Sequence, residues 1–367
     1  MSENITRKTG RRSPHGAPAD SDAEHEARTD SEVEHGAPAD KDGAPADRDV
    51  EVVVVGAGPA GLQAALTLGR VHRDVVLVDA GEGRNAPAAH LHNVVTRDGT
   101  PPAEFRRIAR GELAAYPTVE VRDGRVTRLR VAEDVSAAEE EVGEKEGGER
   151  GGTAYLVELA DGSRLSTAKV VLATGVRDEL PDVPGVADLW GDLVAHCPFC
   201  HGHEFAGRRV AILGAAPAPH LAALLRPVAS EVVVLTHGEA APDGLPAVVV
   251  TDRVTEVTRS GDGVLVRLAG GGTLEVAGVF VATTLHQAAP FAEQLGLAAN
   301  GSGCVRVDER CRTSRPGVYA AGDMAHVEAL PMPMTSVAQA IASGSLAGAT
   351  AAAELIADEQ AAVARAG

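Results

Sequence analysis

Val52-Val53-Val54-Val55-Gly56-Ala57-Gly58-Pro59-Ala60-Gly61 is the stretch that decides the fold. Its four-valine run reads as a buried strand, and the Ala/Leu-rich residues 60 to 71 that follow read as a helix. A second apolar run, Val75 to Val78, completes a β-α-β unit of a parallel sheet. In such a turn the first glycine permits the bend, the second lets backbone approach a pyrophosphate, and the third lets helix pack close to strand. The helix start at Pro59 and Ala60 supplies amide donors and positive potential. Asp79 ends the second strand 23 residues after Gly56, where an acid accepts from ribose hydroxyls. Strand, turn, helix and terminal acid together are a dinucleotide fingerprint, which a bare glycine turn would not be.

Working outward, strands are expected at Val119 to Val121, Tyr155 to Leu159 and Val170 to Ala173. A second β-α-β pattern runs from Arg209–Leu213 through a helix at residues 218 to 226 to Val232–Leu235. Strand-like Val264–Leu268 and Val279–Val281 come next, then residues 317 to 323 and a small-residue helix from about Ser336 to Ile356. The expected class is therefore α/β, with two doubly wound, Rossmann-type units, the second inserted in the first.

The first 48 residues repeat His-Gly-Ala-Pro-Ala-Asp at 15–20 and 35–40. Small and acidic residues of this kind bury too little apolar surface to offset chain entropy, so residues 1–48 are expected to be a disordered tail. Residues 133–152, rich in Glu and Gly, are expected to form a surface loop.

Composition narrows the function. A net charge of −18 argues against nucleic acid, because neutralising phosphates needs a basic surface. Aromatic residues make up 2% of the chain, which leaves few stacking platforms. Four cysteines are too few for a disulfide-stapled secreted fold, and Arg11-Arg12 precedes no apolar export segment. A cytoplasmic protein with no membrane span is the expectation.

Two further motifs bear on the cofactor. Ala173-Thr174-Gly175 closes a strand, and Gly317-Val318-Tyr319-Ala320-Ala321-Gly322-Asp323 lies near the C-terminus. FAD, longer than NAD, needs such a second contact, with Gly322 and Asp323 reaching its ribityl and pyrophosphate portion. Cys197-Pro198-Phe199-Cys200 stands just ahead of the second β-α-β unit. Two cysteines so spaced can close a small ring that exchanges with a dithiol. Half of a zinc site is the other reading, with His201 and His203 near, but no second Cys-x-x-Cys exists and no metal is assigned. Cys304 and Cys311 are read as packing residues.

In this order the motifs resemble those of the low-molecular-weight thioredoxin reductases, from about Asp49 to about Asp358. The resemblance implies a discontinuous FAD domain of residues 49–176 and 288–360, interrupted by a cysteine-bearing, NADPH-like domain of residues 177–287. It implies a homodimer. It implies that Cys200 faces the flavin, that Cys197 exchanges with substrate, and that His201 takes the place of the usual acidic proton donor. An imidazole suits that role. His92, in a polar loop, is a candidate second base, and Leu330 to Thr335 a candidate wall of the flavin pocket.

One departure decides the reaction. The second turn reads Leu213-Gly214-Ala215-Ala216-Pro217-Ala218-Pro219-His220, without the second and third glycines and with two prolines that lack amide donors. Glu239 stands where NADPH-dependent relatives carry arginines for the 2′-phosphate, and would repel it. With the Cys-His-Gly continuation, this resembles the thioredoxin-reductase-like dithiol oxidases that close disulfides in microbial natural products, the gliotoxin and holomycin types. The reaction so implied converts a small-molecule dithiol and O2 to a cyclic disulfide and hydrogen peroxide. An NAD(P)H-dependent disulfide reductase and a non-enzymatic flavin-bound redox sensor are the two alternatives.

Overall fold

A computed structural model describes residues 47–81, 83–132 and 155–366. The expected tail up to residue 46 and the expected loop at 133–152 lie outside the described residues. In chain order the strands are β1 Arg48–Val55, β2 Val75–Asp79, β3 Val119–Asp123, β4 Val126–Val131, β5 Tyr155–Leu159, β6 Arg164–Leu172, β7 Val176–Glu179, β8 Val194–Ala195, β9 Arg209–Leu213 and β10 Glu231–Leu235. They continue with β11 Val248–Val250, β12 Val254–Ser260, β13 Gly263–Leu268, β14 Thr273–Val276, β15 Gly278–Val281, β16 Thr284–Gln287, β17 Val305–Val307, β18 Val318–Ala320 and β19 Ala325–Val327.

The first sheet has seven strands, ordered β3-β2-β1-β6-β5-β4, with β18 also on β6. On the edge away from β1, β6 serves two neighbours along its length. Its first half pairs antiparallel with β5, Tyr155 opposite Thr167, and its second half pairs parallel with β18, Val318 opposite Val170. The four valines of β1 are buried because this strand lies between β2 and β6 and is covered on both faces, as continuous apolar runs in parallel sheets are. The second sheet is five-stranded and parallel, ordered β11-β10-β9-β15-β8. An antiparallel meander β12-β13-β14 accompanies it, and an antiparallel ribbon of β7 with β16 lies where the chain enters and leaves this part.

The expected α/β class with two doubly wound units is the architecture found. Helix Pro59–Gly69 packs against helix Val337–Ala366 through small residues. A Cβ added at Gly344 would lie 2.1 Å from the Ala60 carbonyl oxygen, so the backbones meet where only glycine fits. The C-terminal helix is long and apolar enough in composition to cross a membrane, yet Ala340, Ala347, Ala351 and Leu355 on its buried face share a core with Ala64 and Leu68. It runs ten residues past the expected end at Ile356, into a charged and exposed segment that carries no core signal.

Candidate active site

The first turn is built as its glycines require. Gly56 has φ +101°, and a Cβ at Gly61 would lie 1.8 Å from the Gly56 carbonyl oxygen. Gly58 differs, for a Cβ there would meet nothing within 4 Å. Fold packing thus explains Gly56 and Gly61, whereas Gly58 leaves open space beside the helix start. That start carries no side-chain cap, and Pro59 is at its first turn, so its free amides face outward as an anion cradle. Gly175, at φ +69°, is likewise open, and the Gly322 amide donates to Ser343 Oγ at 3.0 Å. Thr174 Oγ1 lies 3.4 Å from Met324 Sδ. These residues fit the pyrophosphate and ribityl portion of a flavin dinucleotide.

Two arginines absent from the sequence reading hold the acids of this site. Asp79 accepts from Arg110 Nη1 at 2.8 Å and from the Gly81 amide at 3.1 Å. Arg84 grips Asp178 with Nε and Nη2, both at 2.7 Å, and reaches Asp323 Oδ2 with Nη1 at 2.8 Å. Thr283 donates to Asp178 at 2.7 Å. Burial works against the charge on Arg84, but the hydrogen bonds and charges of the two aspartates outweigh it and hold the guanidinium above its ordinary pKa. Burial also pushes Asp178 upward, and Arg84 and Thr283 overcome that and keep it low. For Asp323 burial prevails over Arg84 and raises the carboxyl. No spacing rule marks Arg84 or Arg110 in the sequence; the ion pairs span 94 and 31 residues.

Cys197 caps a short helix, Pro198–His201, that follows edge strand β8. Its carbonyl accepts from the amides of Cys200 and His201, each at 3.1 Å. The winding brings the sulfurs together, and Cys200 Sγ donates to Cys197 Sγ at 2.8 Å. That hydrogen bond, assisted by the amides of Cys200 and Phe199 and the charge of Arg84, outweighs burial and draws Cys197 down to about 7. The same hydrogen bond and burial push Cys200 upward, with the negative charges of Cys197 and Asp323 adding to the rise. The pair is therefore asymmetric. Cys197 carries the more acidic sulfur and Cys200 the less acidic one, with Arg84 acting on both and Asp323 on Cys200. Cys304 and Cys311 are buried singly, and burial raises both thiols, Cys311 to about 11.

His201 is half-buried. Its Nε2 lies 3.3 Å from the Gly191 carbonyl, and its Nδ1 is buried with no partner. Among the described residues, no hydrogen bond joins it to either sulfur. Burial lowers its pKa, against the opposing Gly191 contact and Glu204 charge, and a neutral ring that gives its Nε2–H to the Gly191 carbonyl carries its lone pair on Nδ1. His92 reaches the same segment, 3.4 Å from Glu204 Oε1. Met332 and Met334 are exposed rather than closed over a pocket, and so is Phe199 between the cysteines, at 65%.

The second turn keeps only the first of its glycines, with Ala216 where the first turn has Gly58 and Pro219 where it has Gly61. Gly214 has φ +102°, and a Cβ there would touch the Pro217 ring at 3.4 Å. Pro217 stands where the first turn has Pro59, but Pro219, within the first turn of the helix Ala218–Leu225, removes a further amide that would face a phosphate. His237 Nδ1 accepts from the Val254 amide at 3.1 Å, and Thr236 Oγ1 donates to the Glu239 carbonyl at 2.7 Å, which folds the loop after β10 onto itself.

A doubly wound fold with an open first nucleotide cradle and an adjacent cysteine pair defines a disulfide oxidoreductase of the flavin-binding kind. The chain belongs to the pyridine nucleotide-disulphide oxidoreductase family, whose model matches residues 50–348. It is 32% identical over 330 residues to thioredoxin reductase aclD of Aspergillus oryzae, covering 85% of this chain and 98% of that protein. It is also 32% identical to thioredoxin reductase sirT of Leptosphaeria maculans, over 81% of this chain and 92% of that one. Among solved structures, that of HlmI superposes with a TM-score of 0.75 at 33% identity, covering 87% of this chain and 96% of the other. An oxidoreductase from Agrobacterium tumefaciens superposes at 0.73 with 32% identity, over 84% and 99%. The protein is thus a thioredoxin-reductase-like oxidoreductase, as its motifs suggested.

Proposed function

We propose that the protein is an FAD-dependent dithiol oxidase that forms an intramolecular disulfide in a small natural-product dithiol, with O2 as acceptor and hydrogen peroxide as product. The observation that carries this reading is the contrast between the two turns at the second glycine: Gly58, with open space beside it, in the first, and Ala216, which carries a Cβ there, in the second, with Pro219 in the place of Gly61. With no cradle for a reduced nicotinamide, electrons enter from the thiol side. A substrate thiolate attacks the Cys197–Cys200 disulfide at Cys197, and the second substrate thiol displaces Cys197, leaving substrate disulfide and enzyme dithiol. His201 takes a thiol proton at its free Nδ1. Bound FAD would supply the two-electron acceptor for the Cys197–Cys200 dithiol and the route from it to O2.

The printed names of the relatives support a second reading, a reductase of a dithiol protein fed by NAD(P)H. One experiment separates the two. Aerobic protein is mixed with NADPH or with dithiothreitol while flavin absorbance and peroxide are followed. Bleaching and peroxide from the dithiol alone are expected; rapid bleaching by NADPH would replace the oxidase with the reductase.

A further inference from the structure

Trp190 is the only tryptophan of the chain and stands seven residues ahead of Cys197. With Gly191 it forms a tight corner, in which Trp190 makes an isolated parallel bridge with Val194 and the Gly191 amide donates to the Val194 carbonyl at 2.9 Å. Strand β8 leaves this corner, pairs with β15 through Val194 opposite Val279, and delivers His196 and Cys197. The corner then touches the thiol segment twice. The Trp190 indole stacks on the His196 imidazole, with ring centroids 5.6 Å apart and planes inclined by 28°. The Gly191 carbonyl lies 3.3 Å from His201 Nε2. His196 is bonded to Cys197 and His201 to Cys200, so one dipeptide contacts the residue before the first reactive cysteine and the residue after the second. Gly191 is itself backed by Pro87, from the loop after β2. It has φ +85°, and a Cβ there would lie 2.7 Å from Pro87 Cβ and 2.9 Å from its carbonyl oxygen, so only glycine lets the two segments meet. Pro87 follows by three residues Arg84, which is bound to Asp323.

We propose that Trp190 and Gly191 are positioning residues of the thiol site, a brace that holds the Cys197–Cys200 helix at both ends, a role that rests on the function proposed above for that site. Helix Pro198–His201 has four residues, and a single turn cannot fix its own place. Its internal bonds, from the amides of Cys200 and His201 to the Cys197 carbonyl, set the spacing of the sulfurs but not where the pair points. Exchange is demanding in that respect, because the incoming thiolate, the Cys197 sulfur and the departing Cys200 sulfur must line up, and a misplacement of about 1 Å can cost on the order of a hundredfold in rate. The flat indole fixes the plane of His196 on one side of the pair, and the Gly191 carbonyl fixes the ring of His201 on the other. Contact with Pro87 refers this brace to the loop that also carries Arg84, so the thiols and the Gly322-Asp323 motif keep a common frame. Trp190 also packs against the core of the second unit, so its bulk and its flat face have separate consequences.

The test compares Trp190→Phe, which keeps a flat ring, with Trp190→Leu, which keeps apolar bulk without one, and adds His196→Phe, His196→Leu and the double variant Trp190→Leu/His196→Leu. Each is prepared as oxidised, flavin-loaded, full-length protein and mixed anaerobically with a series of dithiothreitol concentrations. Opening of the Cys197–Cys200 bond is followed by quenching with N-ethylmaleimide and counting labelled thiols by mass, which gives a maximal rate and a half-saturating concentration. Trp190→Leu should lower the maximal rate about tenfold with the half-saturating concentration within about twofold of wild type, and Trp190→Phe should recover most of the loss. The double variant should be no slower than the slower single one, because both remove the same contact. Equal rates in Trp190→Leu and Trp190→Phe would overturn the brace, as would rate losses that multiply in the double variant or a change confined to the half-saturating concentration. If Trp190→Leu fails to fold, His196→Phe against His196→Leu decides from the other side of the stack, the ring-bearing variant being expected to be the faster and equal rates counting against the brace. Air admitted afterwards examines the oxidase reading separately: reduced wild type that regenerates no oxidised flavin and no peroxide would end that reading and leave the anaerobic comparison intact.

Discussion

Arg84 holds Asp178 in a two-pronged grip, Nε to Oδ2 and Nη2 to Oδ1 at 2.7 Å each, and spends its remaining nitrogen on Asp323 at 2.8 Å. One guanidinium thereby ties the ribbon strand β7 to the Gly322-Asp323 motif and bathes both cysteines in positive potential. Fold closure and thiol chemistry share a single charge.

Replacing Arg84 by Met should therefore act twice. Two partly buried carboxylates lose their partner, and breaking such a network costs about 3–5 kcal/mol. Urea unfolding of the variant should show that loss, and adding Asp178→Asn should recover part of it. Alkylation of the reduced variant should show Cys197 less acidic, since Arg84 helps lower it. Unchanged stability would mean that water already satisfies the aspartates.

The asymmetry of the cysteine pair predicts which sulfur reacts. In reduced protein Cys197 should react with iodoacetamide with a midpoint near pH 7, while Cys200 stays protected through pH 9. Cys200→Ser removes the sulfur donor that most lowers Cys197 and should move that midpoint upward. Turnover should vanish in either Cys→Ser variant with the flavin spectrum retained. Preferential labelling of Cys200 would reverse the proposed order of attack.

Sequence reading reached the parts whose chemistry is local. Gly56, Gly58 and Gly61, the cysteine spacing and the altered turn after Gly214 are each fixed by residues a few positions apart, and β1, β5, β9 and β10 announced themselves as apolar runs. Short strands such as β8, with two residues, and β17 and β19, with three each, have no period long enough to see. Helix Pro102–Leu113 fully buries only Pro102 and Leu113 and carries Arg and Glu along most of its surface, so its apolar stripe is thin. Arg84, Arg110 and Glu204 escaped for a different reason. Their partners are brought by the fold from far along the chain, and an isolated arginine or glutamate gives no sign of where it will end up.

Stability should fall with acid because of His196, the residue before the reactive pair. Burial, with Arg84 adding to it, drives this imidazole from 6.5 down to about 4, while Asp178 pulls the other way. Between those values the unfolded chain binds a proton that the folded chain refuses, so its contribution is complete above pH 6.5 and lost as pH falls toward 4. The loss amounts to about 2–3 kcal/mol. Urea midpoints at pH 7 and 4.5 would measure it, and His196→Gln should lessen the difference; an unaltered slope would assign the acid sensitivity elsewhere, His201 being next in line because burial lowers it too.

Gly58 and Gly61 offer the sharpest separation of cofactor from fold. At Gly61 a Cβ would lie 1.8 Å from the Gly56 carbonyl oxygen and 3.2 Å from the Ala173 Cβ, so Gly61→Ala must push helix Pro59–Gly69 off β1. Overpacking of this kind costs about 1–3 kcal/mol or more, and both unfolding midpoint and flavin content should drop. At Gly58 a Cβ meets nothing within 4 Å, and the backbone, at φ −70°, suits any residue. Gly58→Ala should therefore leave the apoprotein's unfolding midpoint where it was, because no protein atom is displaced. If the open space is where a pyrophosphate lies against the helix amides, the added methyl intrudes on that ligand alone, and FAD should dissociate about tenfold more readily or worse. Fluorescence titration of apoprotein with FAD gives the second quantity and urea unfolding the first. Weakened FAD binding at constant apoprotein stability identifies the cradle, whereas equal FAD affinity in Gly58→Ala and wild type would remove the first turn from the cofactor site.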